Sequence, residues 1–289
     1  NGERVFDYHV HSQFSVDCQV PMTRSCRAAI TAGVTEIAFT DHVDHEPADL
    51  GYEYYRAEAY FEAVAEARAA FTGQLTILAG AEVDFNERIR DQVGDFLNQH
   101  SYDFVIGSVH YGDAGAIIFP DYFATRSLDE VFIPYLAQVK LAVETGWFDT
   151  IGHLDLPKRY APTTHRDYDP LAYRDQLLPI FAAMIERGVA FEINTSGLRQ
   201  TPRASMPGPA IVRWYVDAGG ELITTGTDSH AAQTVGAGLP VTLDMLDLCG
   251  ISTVSGFSQR RRSQVPIAEL RAAAIATTES EMSGSGRSV

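Results

Sequence analysis

The sequence predicts a single α/β barrel of seven strands alternating with helices. Two observations carry the fold class. Short β-rich runs alternate with helix-periodic segments along the chain, and no Pro- or Gly-rich linker or shift in composition divides it. A third observation points the fold toward chemistry: a histidine or carboxylate stands at or just after the end of one predicted strand after another. Barrels of this kind carry their active sites at the carboxyl ends of the strands.

The first strand is Val5-Phe6-Asp7-Tyr8, running into His9-Val10-His11. Residues two apart on a strand share a face, about 7 Å of rise apart, so His9 and His11 can aim both imidazoles at one point. Pro21 leads into a helix-spaced segment to Ala32, and Gly33 supplies its left-handed stop. The second strand, 36–40, ends in Asp41-His42. A helix over the Ala-rich 57–71 precedes a third strand, 75–82, ending at Glu82. A short helix over 88–97 and a fourth strand, 104–110, ending at His110, follow.

Residues 111–126 lack periodicity and contain Gly112, Gly115 and Pro120, which predicts an inserted loop close to the site. Ser127 and Glu130 have capping-box spacing and open a helix to about Thr145. The fifth strand, 150–153, ends at His153. Asp169-Pro170 starts a helix that Gly188 stops. Strand six covers 189–194, a helix 209–218, and strand seven 221–225, running into Asp228-Ser229-His230. A helix near 241–248 and a basic turn at 260–262 follow. The expected domain is one barrel over 1–268; 269–289 read as a C-terminal helix and a polar tail, disordered from Glu279 onward.

With 45% hydrophobic residues, 289 residues suffice for a full-sized core. Acidic residues outnumber basic ones, 38 to 22, giving a formal charge of −16 that argues against nucleic-acid or anionic-membrane partners. The three cysteines, Cys18, Cys26 and Cys249, lack paired spacing, so neither a disulfide framework nor a Cys-type zinc site is indicated. No apolar run is long enough for a bilayer, and Asn1-Gly2-Glu3-Arg4 lacks the core of a signal peptide. The opening asparagine points to a trimmed start, and a reducing cytoplasm is the expected location.

His9, His11, Asp17, His42, Glu82, His110, His153, Asp228 and His230 form the set at the strand ends. Singly each has a plain reading: His153 a capping residue, Glu82 a solvated carboxylate, Asp228 a helix N-cap. Jointly, six of the chain's nine histidines and three carboxylates exceed one tetrahedral ion and suit two or three bridged metals. Only His45, His100 and His165 stand outside. Among weaker candidates, His45 reads as a solvent-facing loop residue near the rim, Tyr111, Phe119 and Tyr122 as ring partners or loop anchors, and Cys18 as a small buried side chain.

The motifs Asp7-Tyr8-His9-Val10-His11, Thr40-Asp41-His42, Gly80-Ala81-Glu82 and Val105-Ile106-Gly107-Ser108-Val109-His110 resemble those of the polymerase and histidinol phosphatase (PHP) family. So do Ile151-Gly152-His153-Leu154-Asp155, 191–199 and Thr227-Asp228-Ser229-His230, and the likeness runs in order from Val5 to about Ile267. The histidinol-phosphate phosphatase branch is the nearest in pattern. The resemblance implies a distorted, TIM-like (β/α)7 barrel with a trinuclear site of Zn, Mn or Fe. It implies one metal on His9, His11, Glu82 and Asp228, a second on Glu82, His110 and His153, and a third on Asp17, His42 and His230. Some relatives carry histidine where this chain has Asp17, a harder ligand.

Phosphate monoesters hydrolyse extremely slowly unaided, which calls for a strong nucleophile and neutralised phosphoryl oxygens. A hydroxide bridging two metals meets the first need and the metals the second. The resemblance points to Arg159 and Arg199, after strands five and six, as bidentate phosphate contacts; a solvated surface charge is the competing reading. Protonation of the leaving oxygen falls to Asp228 or to metal-bound water. The expected reaction is hydrolysis of L-histidinol phosphate to L-histidinol and phosphate in histidine biosynthesis. Three alternatives stand beside it: a PHP phosphoesterase acting on nucleotides or oligonucleotide ends, a non-catalytic metal scaffold, and an amidohydrolase. The third shares the His-x-His opening but often bridges its metals with a modified lysine where this chain has Glu82.

Overall fold

A computed structural model describes residues 5–112, 115–162 and 168–270. Seven strands lie side by side in chain order, each parallel to its neighbour. They are β1 (Phe6–Val10), β2 (Glu36–Phe39), β3 (Thr76–Asp84), β4 (Phe104–Ser108), β5 (Thr150–Ile151), β6 (Ala190–Asn194) and β7 (Ile223–Gly226). Val10 bridges Ser229, the Ser229 N–H donates to the His9 carbonyl at 3.2 Å, and the His11 N–H donates to the Ser229 carbonyl at 2.9 Å. The sheet thereby curls into a nearly closed seven-stranded parallel barrel, as expected, and its distortion has visible sources. Strand β5 is two residues long, and the β1–β2 register shifts between Asp7 and Val10. Such an irregularity re-aims side chains: Tyr8 packs on Phe104 of β4 while His9 turns to Glu82.

Helices α1 (Met22–Thr31), α2 (Ala57–Ala70), α3 (Arg90–Gln99) and α4 (Leu128–Thr145) fall close to their expected places. So do the longer α6 (Arg174–Arg187), α8 (Pro209–Asp217) and α9 (Leu239–Leu248), whereas the one-turn α5 (Pro157–Tyr160) and α7 (Ser196–Arg199), which extend strand ends, were not anticipated from the sequence. The capping box forms: the Ser127 hydroxyl accepts from the Glu130 N–H, and the Glu130 carboxylate accepts from the Ser127 N–H at 2.8 Å. Gly146 and Gly188 close α4 and α6 in the left-handed conformation, both at φ 67°. The helix expected over 88–97 is present, opened by a 3-10 turn, Glu87–Ile89, that runs into α3. The loop expected over 111–126 lies beside the site, and within it Tyr111–Gly112 pairs with Gly115–Ala116 and a 3-10 turn spans Pro120–Phe123.

One expectation needs correction, the basic turn. Residues 261 and 262 belong to a hairpin of β8 (Thr253–Ser258) and β9 (Arg261–Pro266), which covers the barrel's amino-terminal end. Phe257 packs 5.1 Å from Phe104 and 6.4 Å from Tyr8, ring centre to ring centre. Its N–H donates to the Tyr8 hydroxyl at 3.1 Å, which in turn donates to the buried Glu36 carboxylate. Arg260 pairs with Asp149 at 2.5 Å, so this arginine fastens the hairpin to the start of β5. The expected tail beyond Glu279 lies outside the described residues.

Candidate metal centre

At the carboxyl ends of the strands the pattern of pairing reverses. His9 and His11 come from the end of β1, His42 from a two-residue strand, His42–Val43, beside β3, Glu82 from β3, and His110 from just past β4. His153 follows β5, and Asp228 and His230 follow β7. His153 and Asp228 take positive φ, 24° and 51°, conformations that cost non-glycine residues energy and concentrate at functional sites. All nine residues expected at the site converge there.

The Glu82 carboxylate is the hub. Its Oε2 lies 3.2 Å from His9 Nε2 and 3.5 Å from His11 Nε2, while Asp228 Oδ1 lies 3.4 Å from His11 Nε2 and 3.9 Å from His9 Nε2. Four donors about 2.1 Å from one ion in a tetrahedron stand about 3.4 Å apart. Glu82 Oε1 faces a second cluster, 2.8 Å from His153 Nε2 and 3.5 Å from His110 Nε2. In a third, Asp17 Oδ2 lies 3.0 Å from His230 Nε2 and 3.7 Å from His42 Nε2. Here Asp17 is half exposed, whereas Glu82 is buried. A grouping not anticipated from the sequence brings Asp44 to His42 and His110.

The orphaned atoms test whether metals fit. The Nε2 atoms of His9, His11 and His230 and Oε2 of Glu82 are buried without a hydrogen-bond partner. Buried polar atoms are almost always paired. The opposite ring nitrogens are bonded outward: His9 Nδ1 to Glu192 at 2.7 Å, His230 Nδ1 to the Asp228 carbonyl at 3.2 Å, and His11 Nδ1 to Ser15 at 2.9 Å. Ser15 gives its proton to Asp41, so His11 Nδ1 is the donor and its Nε2 lone pair faces the cage. This is the support that ligating histidines receive from outer partners, and the donor set suits divalent cations.

The charges agree. Burial opposes ionisation throughout, yet Glu192 and Glu82 carry the His9 pKa well above the ordinary value, and His9 and His42 hold Glu82 well below its own. His110, buried but bonded to Asp84 and Glu82, is raised to about 10. His11 is pushed well down by burial and by the neighbouring His230 and His42. Cations entering such a cage displace the protons on its imidazoles.

A cavity of about 630 Å³ opens on the cluster and reaches Arg159. The Arg159 guanidinium donates to Asp228 Oδ2 at 2.8 Å. Arg199 stands behind this wall, donating to the Thr227 carbonyl at 2.7 Å, and is not among the residues lining the cavity. His45 is half-buried, packs on Phe96 and is not among the residues lining the cavity. Tyr111 and Phe119 line the cavity, while Tyr122 is buried beneath the Arg126 guanidinium. Cys18 is buried, its thiol donating to the His230 carbonyl at 3.4 Å. Among the outer partners, Glu192, Asp41 and Asn194 sit in motifs noted from the sequence without a role of their own. Asp84 was legible only as the residue two past Glu82 on one strand face.

The comparisons agree with this geometry. The model of the PHP domain matches residues 7–196. A probable histidinol-phosphatase of Deinococcus radiodurans is 33% identical over 239 residues, 80% of this chain and 88% of that protein. The histidinol-phosphatase of Lactococcus lactis subsp. lactis is 30% identical over 229 residues, covering 78% and 84% respectively. The crystal structure of histidinol phosphate phosphatase from L. lactis, in complex with zinc, L-histidinol and phosphate, superposes with a TM-score of 0.83. It is 26% identical, and the match covers 89% of this chain and 98% of that one.

Proposed function

Because the chain belongs to the PHP family, we infer that it is a metal-dependent histidinol-phosphatase, hydrolysing L-histidinol phosphate to L-histidinol and phosphate in histidine biosynthesis. The observation that carries this reading is the gathering of six imidazoles and three carboxylates in and beneath the wall of one cavity, with buried ligand atoms of His9, His11, His230 and Glu82 left without a hydrogen-bond partner. We propose three divalent ions, of Zn, Mn or Fe, in the sets implied by the family resemblance, with Glu82 shared between the first two and Asp17, His42 and His230 holding the third. Such ions, when bound, polarise phosphoryl oxygens and generate a strong nucleophile from water.

The chain's own groups do the rest. Arg159, tethered by Asp228, presents its remaining donors to phosphate oxygens, and we propose Arg199 as a second phosphate contact close behind it. Asp228 faces His11 through Oδ1, and its Oδ2 accepts from Arg159 and Ser196. His9 and Arg159, outweighing burial, hold its pKa well below the carboxylate norm. It therefore supplies charge and orientation rather than a proton for the leaving oxygen. We propose one catalytic domain spanning the barrel, located in the cytoplasm, where free buried cysteines are at home, and acting on a small phosphate monoester rather than nucleic acid.

A phosphate-release panel tests the reading, with L-histidinol phosphate, nucleoside monophosphates and an aryl phosphate each assayed with added Mn or Zn. Histidinol phosphate should give the highest kcat/KM. Faster turnover of nucleotides would replace the proposed substrate.

A further inference from the structure

A second cavity, of about 350 Å³, shares none of its lining residues with the catalytic one and has the size of a small-ligand pocket. Lys158 and Arg159, successive on α5, part between the two: Arg159 lines the catalytic cavity and Lys158 the second. The walls of the second cavity are largely apolar, with Ala161, Pro170, Pro202 and Ile211 among them, and two polar features of opposite demand stand in them. The first is the Asp155 carboxylate, whose residue is 1% exposed. Its Oδ2 accepts from Lys158 at 2.7 Å, and that ammonium also donates to the Ser205 carbonyl at 2.8 Å. Oδ1 is buried with no hydrogen-bond partner, although the Tyr168 hydroxyl stands close to the carboxylate. Buried polar atoms are almost always paired, so Oδ1 calls for a donor from a ligand.

The first turn of α8 makes the contrary demand in the same cavity. Gly208, Pro209, Ala210 and Ile211 all line it. Gly208, the N-cap, brings no side chain to the helix end, and Pro209 has no N–H. Val212 donates its N–H back to the Gly208 carbonyl at 3.3 Å, whereas the Ala210 and Ile211 N–H groups make no hydrogen bond among the described residues. Free N–H groups at a helix start, reinforced by the helix dipole, favour an anionic oxygen. We propose that this cavity binds a free apolar α-amino acid as its zwitterion, with the ammonium on Asp155 Oδ1, the carboxylate on the first turn of α8 and the side chain against the prolines. An amine alone meets only one of the two demands and a carboxylic acid alone only the other. The site is separate from the metal cluster, and its occupant is independent of the ester that the catalytic cavity hydrolyses.

The test is calorimetric titration of the metal-loaded protein with L-leucine, with 4-methylpentanoate, which lacks its amine, and with 3-methylbutylamine, which lacks its carboxylate. L-Leucine should bind at least tenfold more tightly than either analogue. Gly208→Asp sets a capping carboxylate on the α8 N–H groups, at a position where an added Cβ meets no atom within 4 Å and φ is an ordinary −85°. It should weaken L-leucine at least tenfold while phosphate-ester turnover stays at the wild-type level. Asp155→Asn should erase the difference between L-leucine and 4-methylpentanoate; should that variant fail to fold, Gly208→Asp decides. L-Leucine that binds no better than its analogues, that keeps its preference in folded Asp155→Asn, or that binds Gly208→Asp as tightly as wild type overturns the proposal. The last result would place the amino acid on the metal cluster instead. Failure to hydrolyse L-histidinol phosphate refutes the catalytic reading alone, so the two failures are distinguishable.

Discussion

The two ends of the barrel bury polar groups under opposite rules. At the amino-terminal end the hairpin of β8 and β9 covers the opening, and the Tyr8 hydroxyl lies between the Glu36 carboxylate and the Phe257 N–H. At the carboxyl end, His9, His11, Glu82 and His230 keep buried atoms without partners, and His153 and Asp228 hold strained backbone. One end satisfies its hydrogen bonds internally and serves stability. The other holds lone pairs in reserve for something that arrives from outside, and its outer partners, Glu192, Ser15 and Asp41, keep the histidine lone pairs aimed.

Substitutions at the two ends should therefore separate metal content from stability. The largest loss is expected for Glu82→Gln, which removes the carboxylate shared by two clusters. Bound metal, read by elemental analysis, and phosphate release should disappear together, and full activity would remove Glu82 from its bridging role. Next, Arg159→Ala should lower kcat/KM about 10²-fold, the scale of losing one charge-stabilising donor, with metal content retained; Arg199→Ala should cost less. Loss of metal in the Arg159 variant would place the arginine in the cage's support instead. Glu192→Gln should weaken metal affinity roughly 10–100-fold in a chelator competition, because His9 Nδ1 and the His153 N–H both lean on that carboxylate. Unchanged affinity would reduce Glu192 to a packing role. The smallest effect on activity is expected at the sealed end: Tyr8→Phe should lower stability by about 1–3 kcal/mol in denaturant unfolding and leave kcat untouched. A catalytic defect there would break the division between the ends.

Much of this was legible in the sequence, for identifiable reasons. Most residues of the candidate centre follow directly on β-rich runs, and strand order alone brings consecutive strand ends to one mouth. Gly188 and the Ser127–Glu130 pair mark helix ends by mechanism. The hairpin was hidden because its turn places Gln259 and Arg260 at positive φ, where Asn-Gly or Asp-Gly is the usual signal. With three successive arginines, the segment reads as a solvated turn. The register shift in β1 carries no local mark, since it is fixed by pairing with β2. The partners of the site stayed silent for a similar reason: Glu192 and Asp44 acquire meaning only when other strands bring His9, His153, His42 and His110 beside them.

The most direct test is divalent-metal analysis of the purified protein coupled to histidinol-phosphate turnover before and after chelation. The account predicts up to three ions per chain, activity lost as they are removed, and activity regained when Zn, Mn or Fe is returned. Full turnover by protein stripped of divalent ions would contradict it.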